Sequence, residues 1–285
     1  MKKVRIVADS TCDLSPELIE KYQITIIPLC IVLGEKSYFD GLDITPDEIY
    51  AWSDENKTTP KTAAISFDKT LDAFKPFIDA GEDVVFFGIS EQMSSTCNVA
   101  RLVAEQEEYD RIFVIDSQNL STGIGLQVLR ACELAEEGKS AEEIVADIEA
   151  KRGQVRASFV VDTLTFLARG GRCSAITALM ANTLKLHPQI LVKEGKMGVG
   201  KKFRGKTAVA IEAYVDDLLP MIQRAETKRV FITHSGCTDE VLAAVKAKLE
   251  ALDMFEEILI TRAGGVISSH CGPSTLGVLF YEKAQ

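Results

Sequence analysis

The chain has 285 residues, 46% of them hydrophobic and 26% charged, proportions that exclude disorder or a fibrous repeat over most of its length and leave room for two packed lobes. Its 32 basic and 42 acidic residues give a formal net charge of −10, which repels a phosphate backbone and argues against nucleic acid as a partner. No apolar run of about eighteen residues occurs, and Asp9 interrupts the start before the apolar segment of an export signal can form, so a cytoplasmic protein that does not span a membrane is expected.

Val4 to Ala8 reads as a strand leaving into Asp9-Ser10-Thr11, and Ser15-Pro16 as an N-cap followed by proline in the first helical position. Ile24 to Val32 reads as one buried strand, Gly34 and Asp40-Gly41 as turns, and Thr45 to Glu48 as a capping box that opens a helix to about Ser53. Val84 to Ile89 and Ile112 to Ile115 are apolar, β-branched runs set among helix-period segments at Leu71 to Ile78, Val99 to Glu107 and Gly125 to Glu137. Such alternation predicts a largely parallel sheet covered on both faces.

Ser140 to Glu143 caps a helix reaching about Lys151, and Gly153 is the natural break between an N-terminal α/β lobe, residues 1–153, and a C-terminal α/β lobe, residues 154–285. In the second lobe, strands are expected at Ala157 to Val161, Ile190 to Val192, Val230 to Thr233, Ile258 to Thr261 and Val278 to Tyr281. Helices are expected at Ile176 to Leu184, Ala208 to Arg224 and Asp239 to Leu252. No repeat or low-complexity linker separates the lobes, so a ligand between or within them is the default expectation.

The seven cysteines form no C-x-x-C pair, so reduced thiols and no metal site are expected. Chemistry-bearing residues collect in four places: Pro60 to Ala64, Ser90 to Thr96, Arg169 to Arg172, and Gly264 to Pro273. Ser94 follows a buried strand and opens a helix, where it is either a plain cap or an anion ligand aided by the helix dipole. Thr62 is either a turn hydroxyl or a ligand. His270 is the best placed of the three histidines, whereas His187 and His234 read as structural. Arg172 either satisfies helix-end carbonyls or faces a partner. Lys193 to Lys206 holds six basic residues against Glu194, a solvated hairpin or a docking site for an acidic group.

A serine hydrolase or acyl transferase using Ser94 and His270, oriented by Asp9 or Asp162, is the alternative reading. The G-x-S-x-G elbow, the phosphate loop and the dinucleotide fingerprint are all missing, as is the aspartyl-phosphate motif D-x-D-x-T.

Taken in order, VADSTCDL, GEKSYFDGLDI, Pro60-Lys61-Thr62, SSTCNVA from Ser94, IDSQNLSTGIG, FVVDTLTFLARGGR, the lysine-rich segment and GGVISSHCGP resemble the DegV family of bacterial fatty-acid-binding proteins over nearly the whole chain. The resemblance implies a two-lobed α/β carrier, not a catalyst, that needs no cofactor. It would enclose one long-chain fatty acid with its carboxyl group near the surface and present it to a separate fatty acid kinase, which makes acyl phosphate for phospholipid synthesis; a transient contact with a membrane surface is compatible with that role. By motif, Thr62, Ser94 and His270 would hold the carboxylate and Arg172 would lie at the pocket mouth where the kinase approaches. The sequence departs from the family pattern at Ala63-Ala64-Ile65, at Ser95 and at Ser274, changes that alter loop shape around the head group.

Overall fold

Strand alternation explains the architecture of this computed structural model, which describes residues 3–173 and 186–284. Four parallel strands, β1 (Val4–Asp9), β2 (Thr25–Ile27), β6 (Asp83–Gly88) and β7 (Ile112–Asp116), form a sheet of order β2-β1-β6-β7. Ile6, Ala8, Val85 and Phe87 point to one face of it, whereas Val7, Val84 and Phe86 point to the other. Both faces are therefore covered, and β6 is buried throughout.

The second face packs against α2 (Pro46–Asn56), α3 (Phe67–Asp79) and α4 (Thr96–Gln106), through Ile49, Phe74, Ala100 and Val103. The first face packs against α1 (Pro16–Lys21), α5 (Thr122–Glu136) and α6 (Ala141–Lys151). Helix α5 is apolar on nearly every side because it also touches a second sheet through Phe159, Leu279 and Tyr281.

That six-stranded sheet has the order β10-β9-β8-β13-β11-β12. Its strands are β8 (Val155–Val160), β9 (Leu186–Lys193), β10 (Lys196–Arg204), β11 (Ala225–His234), β12 (Glu257–Arg262) and β13 (Leu276–Glu282); only β11 and β12 run parallel. Its far face, with Val160, Ile232, Val278 and Phe280, is covered by α8 (Thr207–Ile222) and α9 (Asp239–Glu250). The order of layers is thus helices, parallel sheet, α5 with its neighbours, mixed sheet, helices.

Sequence and structure differ at Ile24 to Val32, which is two strands and not one. Pro28, which has no amide hydrogen to offer a ladder, stands between β2 and β3 (Cys30–Leu33). Strand β3 turns away to form a small antiparallel sheet with β4 (Lys36–Phe39) and β5 (Lys61–Ala63). One short helix also escaped the periodicity, α10 (Gly265–Cys271), whereas α7 (Thr165–Gly170) falls on the helical-looking stretch Leu164 to Leu167 that makes helix-end carbonyls a role for Arg172. The helix expected at Ile176 to Leu184 lies outside the described residues. Among the described residues, no helix is long and apolar enough to cross a membrane, and no group of three or more His, Cys, Asp or Glu side chains is placed to hold a metal ion.

Candidate functional site

Beyond the carboxyl ends of β2, β6 and β7, where parallel sheets usually bind their ligands, lies a cavity of about 290 Å³. Its apolar wall comes from Leu29, Ile89, Met93, Leu120, Met197 and Ile267; its polar residues include Thr62, Ser94, Arg172 and His270. All four expected residues thus line one space, although they are separated by more than two hundred positions along the chain. Beyond Leu120, Ile267 and Cys271, which border both spaces, a second apolar void of about 20 Å³ opens between Phe159, Ala263 and Leu279.

Thr62 sits on β5 opposite Ile31, not in a turn, and its hydroxyl is 2.7 Å from His270 Nε2. His270 sits in the last turn of α10, not in a loop. Burial, and then the nearby charge of Arg172, push its pKa down to about 4, so the ring is neutral at pH 7. The buried Nδ1 has no hydrogen-bond partner. A buried lone pair is the less costly atom to leave unpaired, which assigns the proton to Nε2. His270 then donates to Thr62, and the hydroxyl hydrogen of Thr62 is released toward the cavity.

Ser94 has the same logic. The backbone N–H of Thr96 donates to its Oγ at 3.3 Å, and Thr96 Oγ1 lies 3.0 Å away. The N-cap position of α4 is Ser95, whose side chain makes no capping bond, so Ser94 serves the helix start from one position further out. When Thr96 Oγ1 is the donor of the second contact, both lone pairs of Ser94 are engaged and its hydrogen is left to serve an acceptor. Two hydroxyls prepared in this way in one cavity, that of Ser94 at the positive dipole end of α4, suit a ligand group that only accepts hydrogen bonds, such as a carboxylate.

Arg172 is exposed and donates from Nη1 to Gly170 O at 2.7 Å, so it both caps the end of α7 and lines the cavity. Gly170 also supports the histidine: a Cβ there would lie 2.3 Å from His270 Nδ1. Gly170→Ala is expected to displace the ring and cost about 1–3 kcal/mol through overpacking. Thermal unfolding together with the ring ¹⁵N spectrum checks this; unchanged values in both would mean that α7 shifts instead.

The elements of a serine-hydrolase triad are not brought into contact. The recorded partner of His270 Nε2 is Thr62, that of the Ser94 hydroxyl is Thr96, and His270 Nδ1 meets no carboxylate. Asp9 is bonded to Thr11 and the Ile89 amide, and Asp162 to Thr207. Cys271, in the cavity wall, is held as a thiol because burial raises its pKa far above the ordinary range. His187 is buried with its ring nitrogens 3.3 and 3.1 Å from the Val161 and Gly205 carbonyls, and His234 Nδ1 accepts from the Gly236 and Cys237 amides. In both rings the bonded nitrogens are thus engaged by backbone groups.

The lysine-rich segment is the β9–β10 hairpin. Its tip reaches the other lobe, where Ser90 Oγ donates to Gly195 O at 2.8 Å, and Met197 enters the cavity wall. Sequence reasoning missed the wall itself: Ile89, Leu120, Met197 and Ile267 carried no signal beyond being apolar next to motif residues.

The family model described as an uncharacterised protein of the DegV family matches residues 3–283. A DegV domain-containing protein of Clostridium perfringens is 32% identical over 283 residues, 99% of this chain and 100% of that protein. One from Deinococcus radiodurans is 32% identical over 275 residues, covering 96% of this chain and 97% of that protein. Among solved structures, one reported for fatty acid binding of a DegV family protein from Thermus thermophilus superposes with a TM-score of 0.90 at 33% identity, covering 99% of this chain and 100% of that chain. A stearic acid-binding protein from Eubacterium ventriosum gives a TM-score of 0.84 at 30% identity, with 99% of both chains covered. With a family match across almost its entire length and relatives this similar from end to end, the chain belongs to the DegV family.

Proposed function

We propose that the protein binds one long-chain fatty acid in the cavity, with its carboxylate held by the hydroxyls of Thr62 and Ser94 and with His270 in the same polar network, orienting Thr62. The observation that carries this reading is the pair of hydroxyls whose lone pairs are already engaged, by His270 Nε2–H and by the Thr96 amide, at the polar end of an otherwise apolar cavity. An acyl chain satisfies such a wall, and a carboxylate satisfies such donors. The small void past Leu120, Ile267 and Cys271 supports a tail running in that direction. The solved relatives reported to bind fatty acids support the same ligand class.

The finer reading is that the protein is a carrier, not a catalyst, and offers the carboxylate to a separate fatty acid kinase. That enzyme transfers the terminal phosphoryl group of ATP to a carboxylate oxygen, giving acyl phosphate, destined for phospholipid synthesis, and ADP. Exposure of Arg172 beside the polar end of the cavity supports an approach of the kinase from that side. The division into residues 1–153 and 154–285 belongs to this reading: the parallel and the small sheets use only strands before Gly153, and the mixed sheet only strands after it.

Denaturing solvent extraction of freshly purified protein, followed by mass spectrometry, is the test. Stoichiometric fatty acid is expected. A protein that carries none and takes up no added palmitate or oleate sinks the proposal.

A further inference from the structure

Helix α10 carries His270 at one end, and at the other end its first amides have no local cap, because residues 264 and 265 are both glycine. Their acceptors come from the opposite lobe. Gly264 N donates to Asp13 Oδ1 at 2.8 Å, and Gly265 N to Asp40 Oδ1 at 2.7 Å. Both carboxylates are buried. Their remaining oxygens accept from serine hydroxyls, Asp13 from Ser121 at 2.5 Å and Asp40 from Ser10 at 2.8 Å.

The approach is too close for any side chain: a Cβ on Gly265 would lie 2.6 Å from Ile31 Cδ1 and 2.9 Å from Asp40 Oδ1. Burying carboxylates beside each other is costly, and the helix termini of ordinary proteins are capped locally by Ser, Thr, Asp or Asn. What these two acids accomplish is to fix the start of α10 against the N-terminal lobe. The far end of the same helix meets that lobe through the bond between His270 and Thr62, about 8 Å along an axis that rises 1.5 Å per residue. Ile267 and Cys271, between these ends, form the cavity wall.

We propose that Asp13 and Asp40 are positioning residues for the carboxylate-binding end of the cavity, capping α10 across the lobe interface so that His270 meets Thr62. The inference rests on the head-group reading given above. It depends on the acceptor oxygen facing each glycine amide and not on the negative charge. Asparagine supplies that oxygen, while its amide group donates to Ser10 or Ser121, either of which has a lone pair free to accept.

The test compares Asp40→Asn with Asp40→Ala in the full chain. Each is incubated with equimolar palmitate and hexadecan-1-ol, and the bound lipids are extracted and their ratio measured. The ratio is insensitive to loss of tail packing or to a fraction of unfolded protein, since both lipids share the tail. Asp40→Ala is expected to lower the acid-to-alcohol ratio about tenfold, the loss of a hydrogen bond to a charged group, while Asp40→Asn stays within about twofold of the parent. A ring ¹⁵N spectrum of His270, which needs no ligand, should show the Nε2–H form disturbed in Asp40→Ala and retained in Asp40→Asn. An undisturbed ring in Asp40→Ala, or equal effects of Asn and Ala, overturns the proposal. Failure of the parent protein to take up either lipid sinks the head-group reading instead, and the ring spectrum still decides the role of Asp40.

Discussion

Thr62→Ala and Ser94→Ala are each expected to leave the fatty acid bound while lowering its kinase-dependent phosphorylation by about 10- to 100-fold, the loss of one hydrogen bond to a charged group. The asymmetry follows from where the binding energy lies. About fifteen methylenes, buried at roughly 0.8 kcal/mol each, contribute on the order of 12 kcal/mol before ordering costs, far more than any single head-group contact. Loss of a hydroxyl therefore misdirects the carboxylate without releasing the tail. Lipid content by extraction and acyl phosphate formation with purified kinase and ATP measure the two quantities separately. Equal losses of both would contradict this division between an apolar grip and a polar aim. Turnover of activated esters by the protein alone, abolished in Ser94→Ala, would favour the hydrolase alternative.

The second large effect is on stability against pH, where buried carboxylates and a buried histidine oppose each other. Burial raises Asp9 from 3.8 to about 6. The folded state then binds a proton that the unfolded chain does not, so stability is gained as pH falls from above 6 toward 4, by about 3 kcal/mol. Asp13 and Asp40 are raised by the same cause and act in the same direction. His270 is lowered from 6.5 to about 4, so its contribution is present above pH 6.5 and lost as pH falls toward 4, again about 3 kcal/mol. In the parent, the His270 limb therefore offsets only part of the gain from the three carboxylates.

Replacing His270 with Gln, whose amide can still donate to Thr62, removes only the acid-destabilising limb. Relative to the parent, His270→Gln should gain about 3 kcal/mol between pH 7.5 and pH 4 in denaturant titrations. A constant difference across that range would show that His270 titrates normally and is not sealed in the wall. The exposed carboxylates with lowered pKa, such as Glu48 and Glu143, are screened by solvent and act only near their own ordinary range.

How much was legible in the sequence varied with how local the physics is. The parallel sheet, the capping boxes at Thr45 and Ser140, and the start of α4 all followed from residues within a few positions of each other. The strand break at Pro28 was equally local and equally readable, since proline cannot donate to a ladder; there a continuous apolar run concealed it. Helix α10 was hidden because its sequence has neither a cap nor a clear period. Gly264 and Gly265 look like a loop until Asp13 and Asp40 arrive from more than two hundred residues away.

The sequence by itself determined that this chain builds two α/β lobes, because apolar periodicity and helix-start chemistry act between near neighbours, and it made Thr62, Ser94, Arg172 and His270 candidates through the order of their motifs. Only the tertiary structure decided that these four line one cavity, that His270 is a neutral donor to Thr62, and that carboxylates of one lobe hold a helix of the other. Burial, tautomer and capping from a distance depend on which surfaces meet, and that is a property of the packed chain, not of any stretch of it.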